Sequence, residues 1–266
     1  MLVVIKNTFI QFFMLFGVVG IAGLALTLLS RWTNNLFRQF RWPELGTYLF
    51  GWIGVPVHEF CHAFFCAVFL HKIQKVKWFD PKGSGGSHGA VTHTYHPWNL
   101  YHRVGHFFIG LGPILLAPLL LAFVAFFLVP DARAALFQPA QDAAWWSSLA
   151  PLLTKSNFTS LGFWFFVYLA MCVSSQIELS TEDLKQAATG LLPVLCVLAF
   201  VNLAAWTFGF SWHGRVVAVA TRVTTLSSGL YAFAALLSAV NLVIYFVVLG
   251  IVNKLTGRPV ANPFRA

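Results

Sequence analysis

The chain has 266 residues, of which 58% are hydrophobic, 17% aromatic and only 9% charged, with a mean hydropathy of +0.75. A soluble domain carries about 25% charge, so this composition excludes a water-soluble globule, and it is too apolar to remain disordered. The length suits one membrane domain with little room for a separate soluble one.

A net charge of +9 would suggest nucleic acid in a soluble domain. Here the basic residues lie mostly between apolar runs, as at Arg31, Arg38 and Arg41 and at Lys72, Lys75, Lys77 and Lys82. Contact with anionic headgroups and control of topology account for them, so the expected partner is the lipid bilayer and not nucleic acid. The four cysteines (Cys61, Cys66, Cys172, Cys196) all lie in apolar runs without a CxxC pair. They read as small buried residues.

A spanning helix needs about 20 apolar residues. In chain order such runs occupy residues 9–30, 47–70, 104–129, 158–174, 187–210 and 228–252. The first lacks a good small-residue cleavage site and reads as an uncleaved anchor. After it, residues 31–45 set Trp32, Phe37, Phe40 and Trp42 among three arginines, as in a helix lying on the headgroups. Residues 73–95 read as a β-hairpin, with a turn through Asp80-Pro81-Lys82-Gly83-Ser84-Gly85-Gly86. In residues 130–157, Trp145 and Trp146 suit the outer interface. The expected fold is a single all-α polytopic membrane domain over residues 1–266, with six transmembrane helices and a short cytoplasmic hairpin. Six spans place both termini on one side, which gathers ten of the 17 Lys and Arg residues. By the positive-inside rule that side is cytoplasmic.

His58-Glu59-Phe60-Cys61-His62 is an HExxH sequence inside the second run. On a helix, positions i and i+4 share a face, so both imidazoles can bind one zinc while Glu59 takes a proton from water. At this composition a chance match is expected roughly once in two hundred chains. From His62 to Lys72 is about 15 Å of helix, about half the hydrocarbon thickness. Intramembrane ionisable groups at such depth are functional by default. The bland reading is that His58 and Glu59 hydrogen-bond neighbouring helices. Pro56, two residues upstream, suits a kink.

A catalytic zinc takes three protein ligands and keeps one position open. Three of the eight acids, Glu178, Glu182 and Asp183, follow the short fourth run. That shortness suits a broken helix whose irregular part lies inside the protein. Asp183 is the expected third ligand and Glu178 the alternative. The competing account makes this a loop in which Ser180 or Thr181 caps the next helix and Glu182 and Asp183 favour its N-terminus.

HEFCH on an early span, a hairpin after it, Gly110-Leu111-Gly112-Pro113 opening the next span and an acidic segment at a later broken helix resemble the site-2 protease family of intramembrane zinc metalloproteases. The likeness covers roughly residues 47–210. It implies zinc held by His58, His62 and Asp183, with Glu59 as the catalytic base and a membrane-spanning protein as substrate. Where the family has an Asn after its GP motif, this chain reads Ile114-Leu115-Leu116. The family's LDG-like motif is here Glu182-Asp183-Leu184, and the loop at 71–103 is too short for a PDZ domain. A compact relative in a bacterial plasma membrane is expected. Gln176 and His106 are the candidates for an oxyanion or substrate contact. Either hairpin strand could pair with an extended substrate, or the hairpin could simply cap the mouth of the site.

Two other classes compete. His93, His96, His102 and His106, with HEFCH, mimic the histidine boxes of membrane di-iron oxygenases and desaturases, although no doubled HH box occurs and His213 stands alone late in the chain. A transporter or inactive membrane scaffold is the third class, and against it no inverted repeat is visible.

Overall fold

A computed structural model describes residues 1–39, 47–83, 87–132, 154–209, 212–258 and 262–264. Trp145, Trp146 and the central part of the hairpin turn lie outside the described residues. The elements run α1 (Leu2–Arg38), a π-helical turn (Thr47–Gly51), α2 (Trp52–Val68), β1 (Lys72–Lys77), β2 (Ala90–Thr94), α3 (Leu100–Gly110), α4 (Gly112–Leu128), α5 (Lys155–Phe158), α6 (Leu161–Ser174), α7 (Thr181–Thr207) and α8 (His213–Thr256).

Among the described residues the protein is mostly helical, with one small two-stranded sheet. Three stretches among the described residues are long and apolar enough to cross a membrane: α1, α7 and Tyr231–Thr256 of α8. A fourth is reached if α3 and α4, bent by 63° at Leu111, count as one broken span. Helices α2 and α6, with 17 and 14 residues, fall short of about 20. Residues 31–38 do not form a separate interfacial helix. They continue α1 without a break, because nothing between Ser30 and Arg38 interrupts helical hydrogen bonding.

The packing places apolar side chains both inside and outside. The core gathers Leu26, Ile114, Ala117, Leu121, Phe163, Phe166, Ala170 and Tyr231 from α1, α4, α6 and α8. Outward, Phe13, Ile21, Leu24, Phe123, Phe127, Phe200 and Trp206 are exposed, which suits a lipid solvent as apolar as the core itself. Such helices gain little from the hydrophobic effect, so polar contacts help to join them. Gln11 of α1 and Asn202 of α7 form a reciprocal amide pair at 3.2 and 2.8 Å. Ser30 donates to the Ser175 carbonyl at 2.6 Å, and Tyr231 to that of Ile114 at 3.1 Å.

Close helix contacts then set the site. A Cβ on Gly190 of α7 would strike the backbone of Phe107 in α3, and one on Gly110 would strike that of Asp183. On Gly54 of α2 it would strike Cys172 of α6. These glycines let two pairs of helix backbones, α3 with α7 and α2 with α6, approach to a distance that no larger residue permits. The hairpin forms as expected: β1 and β2 are antiparallel, from Lys72 opposite Thr94 to Lys77 opposite Ala90, with a shift between Ile73 and Lys75.

Candidate metal centre

Helix α2 carries His58, Glu59 and His62 on adjacent turns. Each histidine is oriented from behind. His58 Nδ1 lies 2.7 Å from the Gln176 carbonyl oxygen, and His62 Nδ1 lies 2.7 Å from that of Ile109. A carbonyl only accepts, so both Nδ1 atoms carry a proton, and in the neutral rings both Nε2 atoms are bare.

The chain makes those carbonyls available in two different ways. The carbonyl of Ile109 would ordinarily accept from the amide four residues on, but that residue is Pro113, which has no N–H. The helix breaks there, and His62 takes the vacancy. The Gln176 carbonyl belongs to the irregular segment between Ser174 and Thr181, where α6 has ended and α7 has not begun. The expected interruption of the fourth apolar run is therefore present, and it serves His58.

The two bare Nε2 atoms stand 3.0 Å apart. Asp183 Oδ1 lies 3.3 Å from His62 Nε2, and Oδ2 lies 3.9 Å from His58 Nε2. Two imidazole lone pairs and an acidic side chain therefore converge with their outer nitrogens already committed. Two lone pairs this close repel unless a proton or a metal ion lies between them. A tetrahedral ion with bonds of 2.0–2.1 Å sets its ligand atoms about 3.3 Å apart, and an N,N,O set suits zinc. Among the described residues, this is the group of His, Cys, Asp and Glu side chains whose ligand atoms, all within 4.8 Å of one another, could hold a metal.

Asp183 also caps α7. Its amide donates to Ser180 Oγ at 3.1 Å, while Oδ2 accepts from the Ser180 amide and hydroxyl at 2.8 and 2.7 Å. The two accounts of Asp183 thus coexist, because Oδ2 serves the capping box and leaves Oδ1 toward the histidines. Its side chain is 13% exposed.

Glu178 is directed elsewhere. Its Oε1 pairs with Arg31 Nε at 3.0 Å and its Oε2 accepts from Asn34 at 3.1 Å, both on α1. It lies in the irregular segment between α6 and α7.

Glu59 is buried and opens onto a cavity of about 690 Å³. The hairpin covers that cavity: Ser87 to Val91 and His93 line it, opposite His58, His62 and Asp183. A methyl group on residue 89 would stand 2.6 Å from Glu59 Oε1, so glycine permits this approach. Gln176 lines the cavity too, with its side-chain nitrogen turned to Ser175 Oγ at 3.3 Å.

No family model, curated protein or solved structure matches the chain.

His106 is not brought to the cavity. It faces Tyr95, with ring centroids 4.1 Å apart, and its Nδ1 lies 3.2 Å from Thr189 Oγ1. Helix α3 turns it toward a second group of rings, with His71 at 5.3 Å and His93 at 6.1 Å. Sequence reasoning missed three contributors: the Ile109 carbonyl, His93 and Gln186. Pro113 was a signal for the first, and the spacing of three residues from Asp183 for the last. For His93, nothing local distinguishes it from its histidine neighbours.

Proposed function

We propose that the protein is an intramembrane zinc metalloprotease, similar to the site-2 protease family, which hydrolyses a peptide bond of a membrane-spanning protein. The observation that carries this reading is the convergence of two bare Nε2 atoms and the Asp183 carboxylate beside a buried glutamate. Such a set fits a catalytic zinc with three protein ligands. Bound there, zinc would acidify water and polarise the scissile carbonyl.

The chain's own residues do the rest. The carbonyls of Gln176 and Ile109 hold both rings in the ligating tautomer, as outer-shell partners of metal-bound histidines do. Glu59 accepts the proton of the attacking water and returns it to the leaving amine. The cavity wall contributed by β2 supports a role for the hairpin in holding substrate. Among the described residues β2 pairs on one edge, with β1, and a strand edge binds extended peptide through main-chain hydrogen bonds. Unwound substrate fits this surface better than a helix, whose amides are already paired. In this reading the six apolar stretches form a multi-pass domain in a bacterial plasma membrane, with termini and hairpin on the cytoplasmic side.

Purified protein is expected to hold about one zinc per chain, measured by elemental analysis, and to cleave a membrane-anchored substrate. Two irons with oxygen-dependent activity would replace this reading with the di-iron one. Absence of both metal and cleavage would leave a transporter or scaffold. Glu178→Gln is expected to leave zinc content unchanged. A partly exposed pair of this kind contributes at most about 1 kcal/mol, so its loss should move the melting temperature only slightly. Loss of zinc in that variant would restore Glu178 as a ligand.

A further inference from the structure

A chain of hydrogen bonds beside the cavity has its polarity set at one end. His71, buried after α2, places Nε2 2.9 Å from the His102 carbonyl oxygen. That oxygen only accepts, so His71 Nε2 carries the proton and its Nδ1 is bare. His93 Nδ1 lies 3.0 Å from His71 Nδ1 and must therefore donate. His93 Nε2 is then bare in turn. It lies 3.0 Å from the side-chain nitrogen of Gln186, whose amide must donate to it. The opposite orientation of that amide would put the His93 proton on Nε2 and leave two bare Nδ1 atoms facing each other. Only one arrangement satisfies every contact.

Burial and the neighbouring His71 push the His93 pKa down to about 4, and burial lowers that of His71 as well. Both rings are neutral near pH 7, as the chain of bonds requires. The consequence falls on Gln186. One of its two amide N–H groups is held by His93, which leaves the second for the cavity that Gln186 lines. Residues three apart on a helix share a face, so Gln186 lies beside Asp183 on α7. The other amide side chains lining the cavity, Asn34 on α1 and Gln176 before α7, give an N–H to Glu178 and Ser175 in turn, and neither shares a helix face with Asp183.

We infer that Gln186 is the hydrogen-bond donor to the oxyanion that develops on the scissile carbonyl, and that His93, held by His71, is the positioning residue that aims it. This inference rests on the protease reading. A donor fixed before the reaction stabilises developing charge without reorganising, and removing one such donor lowers kcat by about 10²–10³-fold.

The test uses the full chain with zinc and a membrane-anchored substrate. Gln186→Met and Gln186→Glu are each expected to keep about one zinc per chain and the wild-type KM, while kcat falls by about 10²–10³-fold. Gln186→Glu keeps the size and polarity of the side chain, so a merely structural role would tolerate it. His93→Leu should lower kcat with KM unchanged, and His93→Gln, which can still accept from Gln186, should restore part of the loss. A readout independent of activity is the nitrogen NMR spectrum of His93 in zinc-free protein, expected to show a protonated Nδ1 and a bare Nε2. Wild-type kcat in both Gln186 variants, or the opposite His93 tautomer, overturns the inference while leaving the protease reading in place. Wild-type protein that neither binds zinc nor cleaves overturns both.

Discussion

Glu59→Gln will abolish cleavage of a membrane-anchored substrate while zinc content stays at that of the wild type. Glutamine keeps the shape that fits beneath Gly89, where a residue-89 methyl would already stand 2.6 Å from the Glu59 oxygen. It cannot accept the proton of the attacking water. Loss of a positioned general base costs about 10²–10⁴-fold, so residual turnover should fall by at least 100-fold on this scale. The metal should remain, because His58, His62 and Asp183 are oriented by Gln176, Ile109 and Ser180 without help from Glu59. Stability should hold or rise. Burying a carboxylate is costly, and the amide removes that cost. Elemental analysis, a melting curve and a cleavage assay on one preparation check all three points. Wild-type cleavage by Glu59→Gln would falsify the assignment of the base.

Asp183 calls for a pair of variants, because its carboxylate has two partners. Asp183→Ala removes both the ligand and the cap, whereas Asp183→Asn keeps a side-chain carbonyl that can accept from the Ser180 amide. Were Asp183 only a cap, the alanine would cost about 1 kcal/mol, the asparagine little, and neither would disturb the metal. As third ligand, it should behave differently. Both variants should lose zinc affinity by more than about 100-fold, since even outer-shell partners are worth 10–100-fold, and Asp183→Ala should melt lower than Asp183→Asn. Competition with a chelator measures the first effect and thermal unfolding the second. Full zinc retention in both variants would leave Asp183 as a cap alone.

The Ile109 carbonyl shows how a legible residue can carry an illegible role. Pro113 is visible in the sequence, and so is the amide it lacks. That the vacated carbonyl meets His62, 47 positions away, depends on how α3 lies across α2. The second histidine group is similar. His71, His93 and His106 belong to different elements, and the hairpin fold brings His93 against both His71 and Gln186. His106, equally prominent in the sequence, is turned aside because its position on α3 faces Tyr95 and Thr189. Glu178 and Asp183 are five residues apart, yet one meets α1 and the other meets α2.

Sequence by itself determined whatever depends on composition or on periods of a few residues. The scarcity of charge excluded a soluble globule, turn residues marked the hairpin, and the i, i+4 spacing put His58 and His62 on one helix face. Those properties are local, so no knowledge of packing is needed to read them. Tertiary structure alone set the Asp183 carboxylate beside both histidines and turned Glu178 to α1, supplied the carbonyls that orient both histidines, and set His93 and Gln186 at the cavity. These follow from close helix crossings at Gly54, Gly110 and Gly190. In such crossings the absence of one methyl group decides which distant backbones can touch, and a linear pattern carries no record of its partner.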